Sequence, residues 1–398
     1  MPRQIPVLLS AALVAGVMAP PPVEAQPRSD VRTFATLPQR LAADPNNPSN
    51  LLPVGHPEGL TADALGNVYA ATFETSVSNF IDVFNPMGTL IASVPFPEGR
   101  APLGMVTDER FLYVNDVLNG DVLRYELPLT NVSQPVAAYD ICGGFLAAFG
   151  IGAPPSAFCA LNANDIGPDG RIYITDNGAG PSFVFSENFR NGRLWVLDPR
   201  TGASSVWFDQ DTRRELDAAH ASFPEFGVNG IAFSNDGSEV FMANMSTDVI
   251  YRMPVRNCAV ACEPTALRVF LRGGGINGPD NIAFDQNGIL WVASGQNDRV
   301  VAINPSGHVV ARVGSFEGMT RGGAPQGLLQ PSGIVVVGDR VYVGNEASRG
   351  LRPTPDLLPE HIWQELRLFT IAEISTWTAI FQPRTPTSSL PILRGQGR

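Results

Sequence analysis

Six recurrences of one segment predict an all-β chain folded as a six-bladed β-propeller. The copies begin Glu58-Gly59-Leu60, Leu103-Gly104-Met105, Asn164-Asp165-Ile166, Asn229-Gly230-Ile231, Asp280-Asn281-Ile282 and Ser332-Gly333-Ile334. Each leads into an apolar run, a tight polar turn and a second run, as in GNVYAAT, DGRIYITD, DGSEVFMAN, NGILWVAS and GDRVYVGN. Successive starts lie 45, 61, 65, 51 and 52 residues apart. With roughly four strand-like runs per copy, that spacing is the signature of propeller blades. Abundant glycine (39) and proline (35) suit many short strands joined by turns.

Residues 1–25 are expected to be a secretory signal peptide. Arg3 precedes an apolar stretch, Ile5 to Ala19, which is followed by Pro20-Pro21-Pro22 and the small-residue end Val23-Glu24-Ala25. That run is too short for a membrane span. The propeller is expected over 26–383, and the proline- and serine-rich stretch 384–398 reads as a flexible tail. Blade three is expected to run Asp165–Gly167, Arg171–Asp176, Arg193–Asp198 and Ser204–Phe208, and blade five Ile282–Asp285, Ile289–Ala293, Val300–Asn304 and Val309–Gly314. Turns such as Pro168-Asp169-Gly170 and Asn235-Asp236-Gly237 join the first two strands with ordinary hairpin chemistry. Two segments offer themselves to close the ring: Val31–Leu37, or Thr376–Phe381.

In an up-and-down blade the connections alternate between two faces. The longest expected insertions, 131–161, 177–192, 209–227 and 345–365, all fall on one of them, and the cysteine-bearing 254–266 segment is the exception on the other. Long loops gathered on one face of a rigid scaffold are where binding usually resides. A net charge of −11 argues against the basic face that a nucleic-acid partner requires. Four cysteines in an exported chain imply two disulfides, and proximity in sequence favours Cys142–Cys159 and Cys258–Cys262. Cys-x-x-Cys or Cys/His clusters are absent from the sequence, so neither zinc nor redox chemistry is expected.

Equivalent positions of a cyclic repeat point at a common axis, and the first position of the segment is Glu58, Asn164, Asn229 and Asp280 in four copies. Turn chemistry accounts for the glycines that follow but not for these oxygens. Hard oxygen ligands without His or Cys favour calcium, another divalent cation being the alternative. With these residues, and with Asn-Gly-Ile-Ala-Phe-Ser leading to Asp-Gly, the chain resembles the gluconolactonase, senescence-marker and luciferin-regenerating group. These are six-bladed propellers of the NHL-like, calcium-dependent phosphotriesterase-like kind. Asn164-Asp165, Asn229-Gly230 and Asp280-Asn281 also look like the paraoxonases, and the ligand set is similar to that of diisopropyl fluorophosphatase. The resemblance implies a metal-dependent hydrolase of lactones, esters or organophosphates, with Glu58, Asn164, Asn229 and Asp280 on the metal and Asp165 and Asn281 adjoining. The chain departs from paraoxonases at Gly59, where they carry an acidic residue, and from sugar lactonases at Asn162, where many carry arginine.

Two further clues bear on substrate and proton transfer. Phe145, Phe149, Phe158, Phe183, Phe185, Phe189, Phe223 and Phe226 crowd the insertions flanking blade three. If Phe183 and Phe226 line the entrance, the substrate is an apolar small molecule rather than a sugar lactone. His56, His220 and His361 fall on the long-loop side, His56 as a substrate contact and His220 as a general base near Asp280 and Asp165; His308 lies on the other face. Asp280 is the carboxylate expected closest to the chemistry, as base or as nucleophile. The expected function is thus an exported metal-dependent lactone or ester hydrolase. The competing readings are a non-catalytic NHL-type binding module and a strictosidine-synthase-like enzyme.

Overall fold

The computed structural model describes residues 31–44, 47–74, 78–144, 146–147, 150–152, 159–177, 193–209, 227–348 and 358–381. Six antiparallel sheets form blades in a ring. Blade one runs His56–Ala62, Val68–Phe73, Phe80–Phe84 and Leu90–Pro95 from the axis outward. Blade two runs Pro102–Thr107, Phe111–Asp116, Asp121–Glu126 and Ala137–Asp140, and blade three Leu161–Ile166, Ile172–Asp176, Arg193–Leu197 and Ser204–Asp209. Blade four runs Val228–Phe233, Glu239–Asn244, Val249–Arg256 and Arg268–Arg272, and blade five Pro279–Phe284, Leu290–Ser294, Arg299–Ile303 and Val309–Val313. Blade six takes Pro331–Val337, Arg340–Asn345 and Thr370–Ser375 from the C-terminal half and its outer strand, Val31–Thr36, from the N-terminal end.

That last strand settles how the ring closes. Val31 pairs with Ile374 and Thr36 with Thr370, and Arg32 donates to Glu373 at 2.7 Å. Thr376–Phe381, the other closing segment the sequence offered, is a short α-helix. The edge of blade six is already taken, and Ala379 and Ile380 pack instead against the core shared by blades five and six. A second difference lies in 131–161, which is not wholly an insertion: its Ala137–Asp140 stretch is the outer strand of blade two.

A blade has two apolar faces and must bury both, so the core is divided among the junctions. Each pair of neighbours shares a cluster. Tyr69, Val114 and Tyr125 lie between blades one and two; Tyr113, Leu161 and Ile172 between two and three; and Tyr173, Ile231 and Tyr251 between three and four. Phe241, Ile282 and Val301 fill the fourth junction, Trp291 and Val343 the fifth, and Leu60, Val68 and Ile371 the junction of blade six with blade one. Four of the turns between first and second strands share one device. Asp63, Asp108 and Asp169 each take a hydrogen bond from the hydroxyl of Tyr69, Tyr113 and Tyr173, at 2.8, 3.1 and 2.8 Å, while Asp285 accepts from Trp291 Nε1 at 3.1 Å.

Cys142 meets Cys159, and Cys258 meets Cys262, in the two expected pairs. The second pair sits in a segment docked on blade three, where Trp207 Nε1 donates to Cys262 O at 2.7 Å and Cys262 N donates to Asp169 Oδ2 at 2.9 Å. Most of the long insertions, residues 1–30 and the tail beyond Pro383 lie outside the described residues. No helix among the described residues is long and apolar enough to cross a membrane.

Candidate functional site

The inner strand of every blade breaks its pairing at the same place. The register shifts between Pro57 and Gly59, Pro102 and Met105, Leu161 and Asn164, Val228 and Ile231, Pro279 and Ile282, and Pro331 and Ile334. A bulge frees residues from the ladder and re-aims their side chains. The recurrent side chains therefore sit in bulges inside the inner strands, not just before them as the sequence suggested. The residue after each one is small or polar because the ring is tight there. A Cβ on Gly59 would lie 1.9 Å from Leu103 O, on Gly104 2.2 Å from Asn162 O, on Gly230 2.4 Å from Asp280 O, and on Gly333 2.5 Å from Glu58 O. Each such glycine rests on the backbone carbonyl of the next blade's bulge.

The register also corrects the alignment of blade three. Leu161 pairs with Asp176 as Val228 pairs with Asn244, and Asn164 pairs with Ile174 as Ile231 pairs with Met242. The counterpart of Glu58, Asn229, Asp280 and Ser332 is thus Asn162, and Asn164 lies two places further on, level with Leu60, Ile231 and Ile282. The run Asn162-Ala163-Asn164-Asp165 offers two amides at a spacing of two, and only strand pairing distinguishes them. Both are held by blade two: Asn164 Nδ2 donates to Asn115 Oδ1 at 2.9 Å, and Asn115 Nδ2 donates to Asn162 O at 2.7 Å.

Glu58, Asn162, Asn164, Asn229 and Asp280 are all buried. Glu58 Oε2 and the Oδ1 atoms of Asn162, Asn164 and Asn229 are buried without any hydrogen-bond donor. Buried acceptors normally find a partner, and leaving one unpaired costs about 1–3 kcal/mol. Three of these acceptors, on Glu58, Asn162 and Asn229, cluster with the carboxylate of Asp280 and make a site of negative potential suited to a hard cation, with Asn164 two residues along the same strand. Among the described residues no group of three or more His, Cys, Asp or Glu side chains has metal-holding geometry, so such a site depends on its amides.

Burial pushes the Glu58 carboxyl well above its ordinary range, Asp280 adds to this by charge, and a hydrogen bond from the Asn162 amide opposes it. Asp280 is raised to about 7 by burial, against hydrogen bonds from Asn229 and the Asn281 backbone. Asn281 Nδ2 also lies 3.5 Å from Asp280 Oδ1. Asp165 is raised to about 6 by burial, but its carboxylate is engaged elsewhere. It accepts from Phe233 N at 2.7 Å and from Ile166 N at 2.8 Å, tying blade three to blade four one step below the bulges. Asp165, Asn164 and Asn281 line a cavity of about 270 Å³ in the centre of the ring, with residues of all six inner strands.

His56 enters at the rim, two residues before Glu58. Its Nδ1 lies 2.6 Å from Glu346 O and its Nε2 3.1 Å from Glu74 Oε1, and its ring packs 4.6 Å from that of Phe369. Both nitrogens face protein oxygens, which hold the ring in place at the rim. His361 is exposed on the helix Glu360–Glu365, and His308 is exposed on a turn. His220, Phe183 and Phe226 lie outside the described residues, as do Phe145, Phe149, Phe158, Phe185, Phe189 and Phe223. Glu346 is the buried carboxylate that sequence reasoning missed. Its counterparts in blades one to five are Phe73, Val117, Asn177, Met245 and Gly295, so the repeat carries no chemical signal at that position.

Residues 153–315 match the family described as SMP-30/Gluconolactonase/LRE-like region. Lactonase drp35 of Staphylococcus aureus (strain bovine RF122 / ET3-1) is 24% identical over 265 residues, which span 58% of this chain and 76% of that protein. A luciferin-regenerating enzyme superposes with a TM-score of 0.55 at 15% identity, covering 81% of this chain and 91% of its own. Regucalcin of Agrobacterium tumefaciens strain C58, a calcium-binding protein, gives 0.53 at 18% identity over 81% and 89% of the two chains. A putative gluconolactonase gives 0.52 at 14% identity over 87% and 97%. This chain is similar to the SMP-30, gluconolactonase and luciferin-regenerating propellers. The likeness read from Glu58, Asn229-Gly230 and Asp280 holds, and the six-bladed ring is shared by these structures.

Proposed function

We propose that this chain is an exported, calcium-dependent hydrolase of lactones or esters. The observation that carries the reading is the set of buried oxygens without donors on Glu58, Asn162 and Asn229, clustered with Asp280, with a fourth on Asn164 of the same strand as Asn162. The matched family, the drp35 lactonase and the calcium-binding regucalcin support the same chemistry. Glu58, Asn229 and Asp280 would hold the ion, with Asn162 and Asn164 completing the oxygen set. When bound, the ion supplies a Lewis acid that polarises the carbonyl under attack. Asp280, the other carboxylate of the ring, takes the proton of the attacking water on an Oδ atom, while Asn281 restrains that carboxylate. His56, pinned between Glu346 and Glu74, shapes the rim. The eight phenylalanines in the sequence of the insertions favour an apolar substrate over a sugar lactone. Export rests on the leader-like first 25 residues and on two cysteine pairs suited to an oxidising compartment.

The test is a panel of lactones, aryl esters and phosphotriesters assayed with chelator and with Ca²⁺. Hydrolysis of alkyl or aryl lactones and esters is expected to vanish with chelator and return with Ca²⁺, and kcat/KM for a hydrophobic lactone to exceed that for a sugar lactone of equal ring size. Activity indifferent to chelator would overturn the metal assignment, and no hydrolysis of any member would overturn the reaction class.

The effect of the ion on stability should grow with pH. Burial holds Asp280 at about 7 and Asp165 at about 6 and raises Glu58, all above their ordinary values near 4. The folded state then keeps protons that the unfolded state releases, so raising pH from about 4 to above 7 withdraws stability from the ion-free protein. Ca²⁺ offsets the charge on Glu58 and Asp280, and its increase in Tm is therefore expected to be several degrees larger at pH 8 than at pH 5. An equal increase at both values would contradict this.

A further inference from the structure

The ring of bulges does not account for all the negative charge at this end of the channel. Glu346 follows directly on the second strand of blade six and is buried, with 3% of its surface exposed. Its placement is fixed by backbone. Glu346 N donates to Gln330 O at 3.1 Å, and Glu346 O lies 2.6 Å from His56 Nδ1. Two residues earlier, Gly344 packs so closely on blade one that a Cβ there would sit 2.3 Å from Pro57 O, and Ser332 Oγ donates to the same carbonyl at 3.1 Å. Blade six is thereby pressed against the strand that carries Glu58.

Burial, and then the charges of Asp280, Glu58 and Glu74, raise the Glu346 carboxyl well above its ordinary range. The charges that raise it are all carboxylates, and the ionisable nitrogens beside it are those of His56, which faces Glu346 O and Glu74 Oε1. Arginines pair instead with carboxylates at the blade edges, as Arg40 with Asp82 at 2.7 Å, Arg100 with Asp116 at 2.8 Å and Arg193 with Asp176 at 2.7 Å. The second sign of a cation is independent of these carboxylate charges: the orphaned Oδ1 atoms of Asn162 and Asn229, buried beside Glu58 and Asp280.

We infer that Glu346 is a third carboxylate of the cation site, acting through its field and setting how much positive charge the site accepts. The inference rests on the metal reading proposed above and deepens it. Because no three carboxylates share a metal-holding geometry among the described residues, Glu346 is a positioning residue, not a ligand. Two carboxylates match a divalent ion; a third nearby favours a trivalent one, since the Coulomb energy scales with the charge of the ion.

The experiment uses chelator-stripped full-length protein titrated with Ca²⁺ and separately with Tb³⁺, read by calorimetry and by Tb³⁺ luminescence. Glu346→Gln is expected to weaken Ca²⁺ binding about tenfold and Tb³⁺ binding about thirtyfold, so the preference for Tb³⁺ falls about threefold. Glu346→Met, which fills the space without polar atoms, is expected to change that preference the same way and serves if the glutamine variant does not fold. A wild-type preference for Tb³⁺ over Ca²⁺ in either folded variant overturns the inference while leaving the site intact. A wild type that binds neither ion overturns the metal reading and this inference with it.

Discussion

Asp280→Ala is expected to lower hydrolysis by about a thousandfold, which corresponds to about 4 kcal/mol of transition-state stabilisation. The change removes one of the two carboxylates of the bulge ring, leaving Glu58 with neutral amides from blades three and four. In the wild type, an ion bound at one hundred times its Kd adds about 2.7 kcal/mol to the folded state, so chelator should lower Tm on the order of 5 °C. In Asp280→Ala chelator should have no effect. Ser332→Ala is the control at the same structural position. It loses one hydrogen bond to Pro57 O, a loss of about 1 kcal/mol, and should retain both activity and chelator sensitivity. Thermal melts with and without chelator, beside initial rates, check the pair. Full activity in Asp280→Ala would show that the ring of oxygens is only backbone chemistry.

Gly59→Ala is expected to destabilise the protein by about 3 kcal/mol, at the upper end of overpacking effects. The added Cβ would lie 1.9 Å from Leu103 O and 2.8 Å from Leu103 C, both backbone atoms that no rotamer change can move. Relief requires the inner strands of blades one and two to part, which also shifts Glu58 out of its bulge. A fall in Tm on the order of 5 °C should therefore accompany weaker Ca²⁺ binding. Gly322→Ala is the comparison: its nearest neighbour would be Thr320 Oγ1 at 3.8 Å, so its effect should stay within about 0.5 kcal/mol. Equal melting of the two variants would show that the bulge glycines are not under packing constraint.

The ring was legible because its signal is repeated. An apolar run, a tight polar turn and a second run recur in every copy, and the turns of blades one to three carry the Tyr-to-Asp bonds to Asp63, Asp108 and Asp169. Glu58, Asn229 and Asp280 were legible for the same reason, since a repeat makes its exceptions visible. What stayed hidden depends on pairing between distant segments. Asn162 and Asn164 differ only in register against Ile172–Asp176. The outer strand of blade six comes from Val31–Thr36, whose partner Thr370–Ser375 lies at the far end of the chain. Glu346 stands where other blades carry Phe, Val, Asn, Met or Gly, and only the fold reveals that it is buried and that the charges of other carboxylates raise it.

The most direct test of a cation in the bulge ring is a crystal of the protein grown with Ca²⁺ or Tb³⁺ and a map of its anomalous scattering. The expected result is one peak at oxygen-ligand distances, about 2.3–2.6 Å for Ca²⁺, from Glu58, Asn229 and Asp280. The same map shows which of Asn162 and Asn164 supplies the amide from blade three. A map with no peak among these residues, from crystals that hold the ion elsewhere or not at all, would contradict the account.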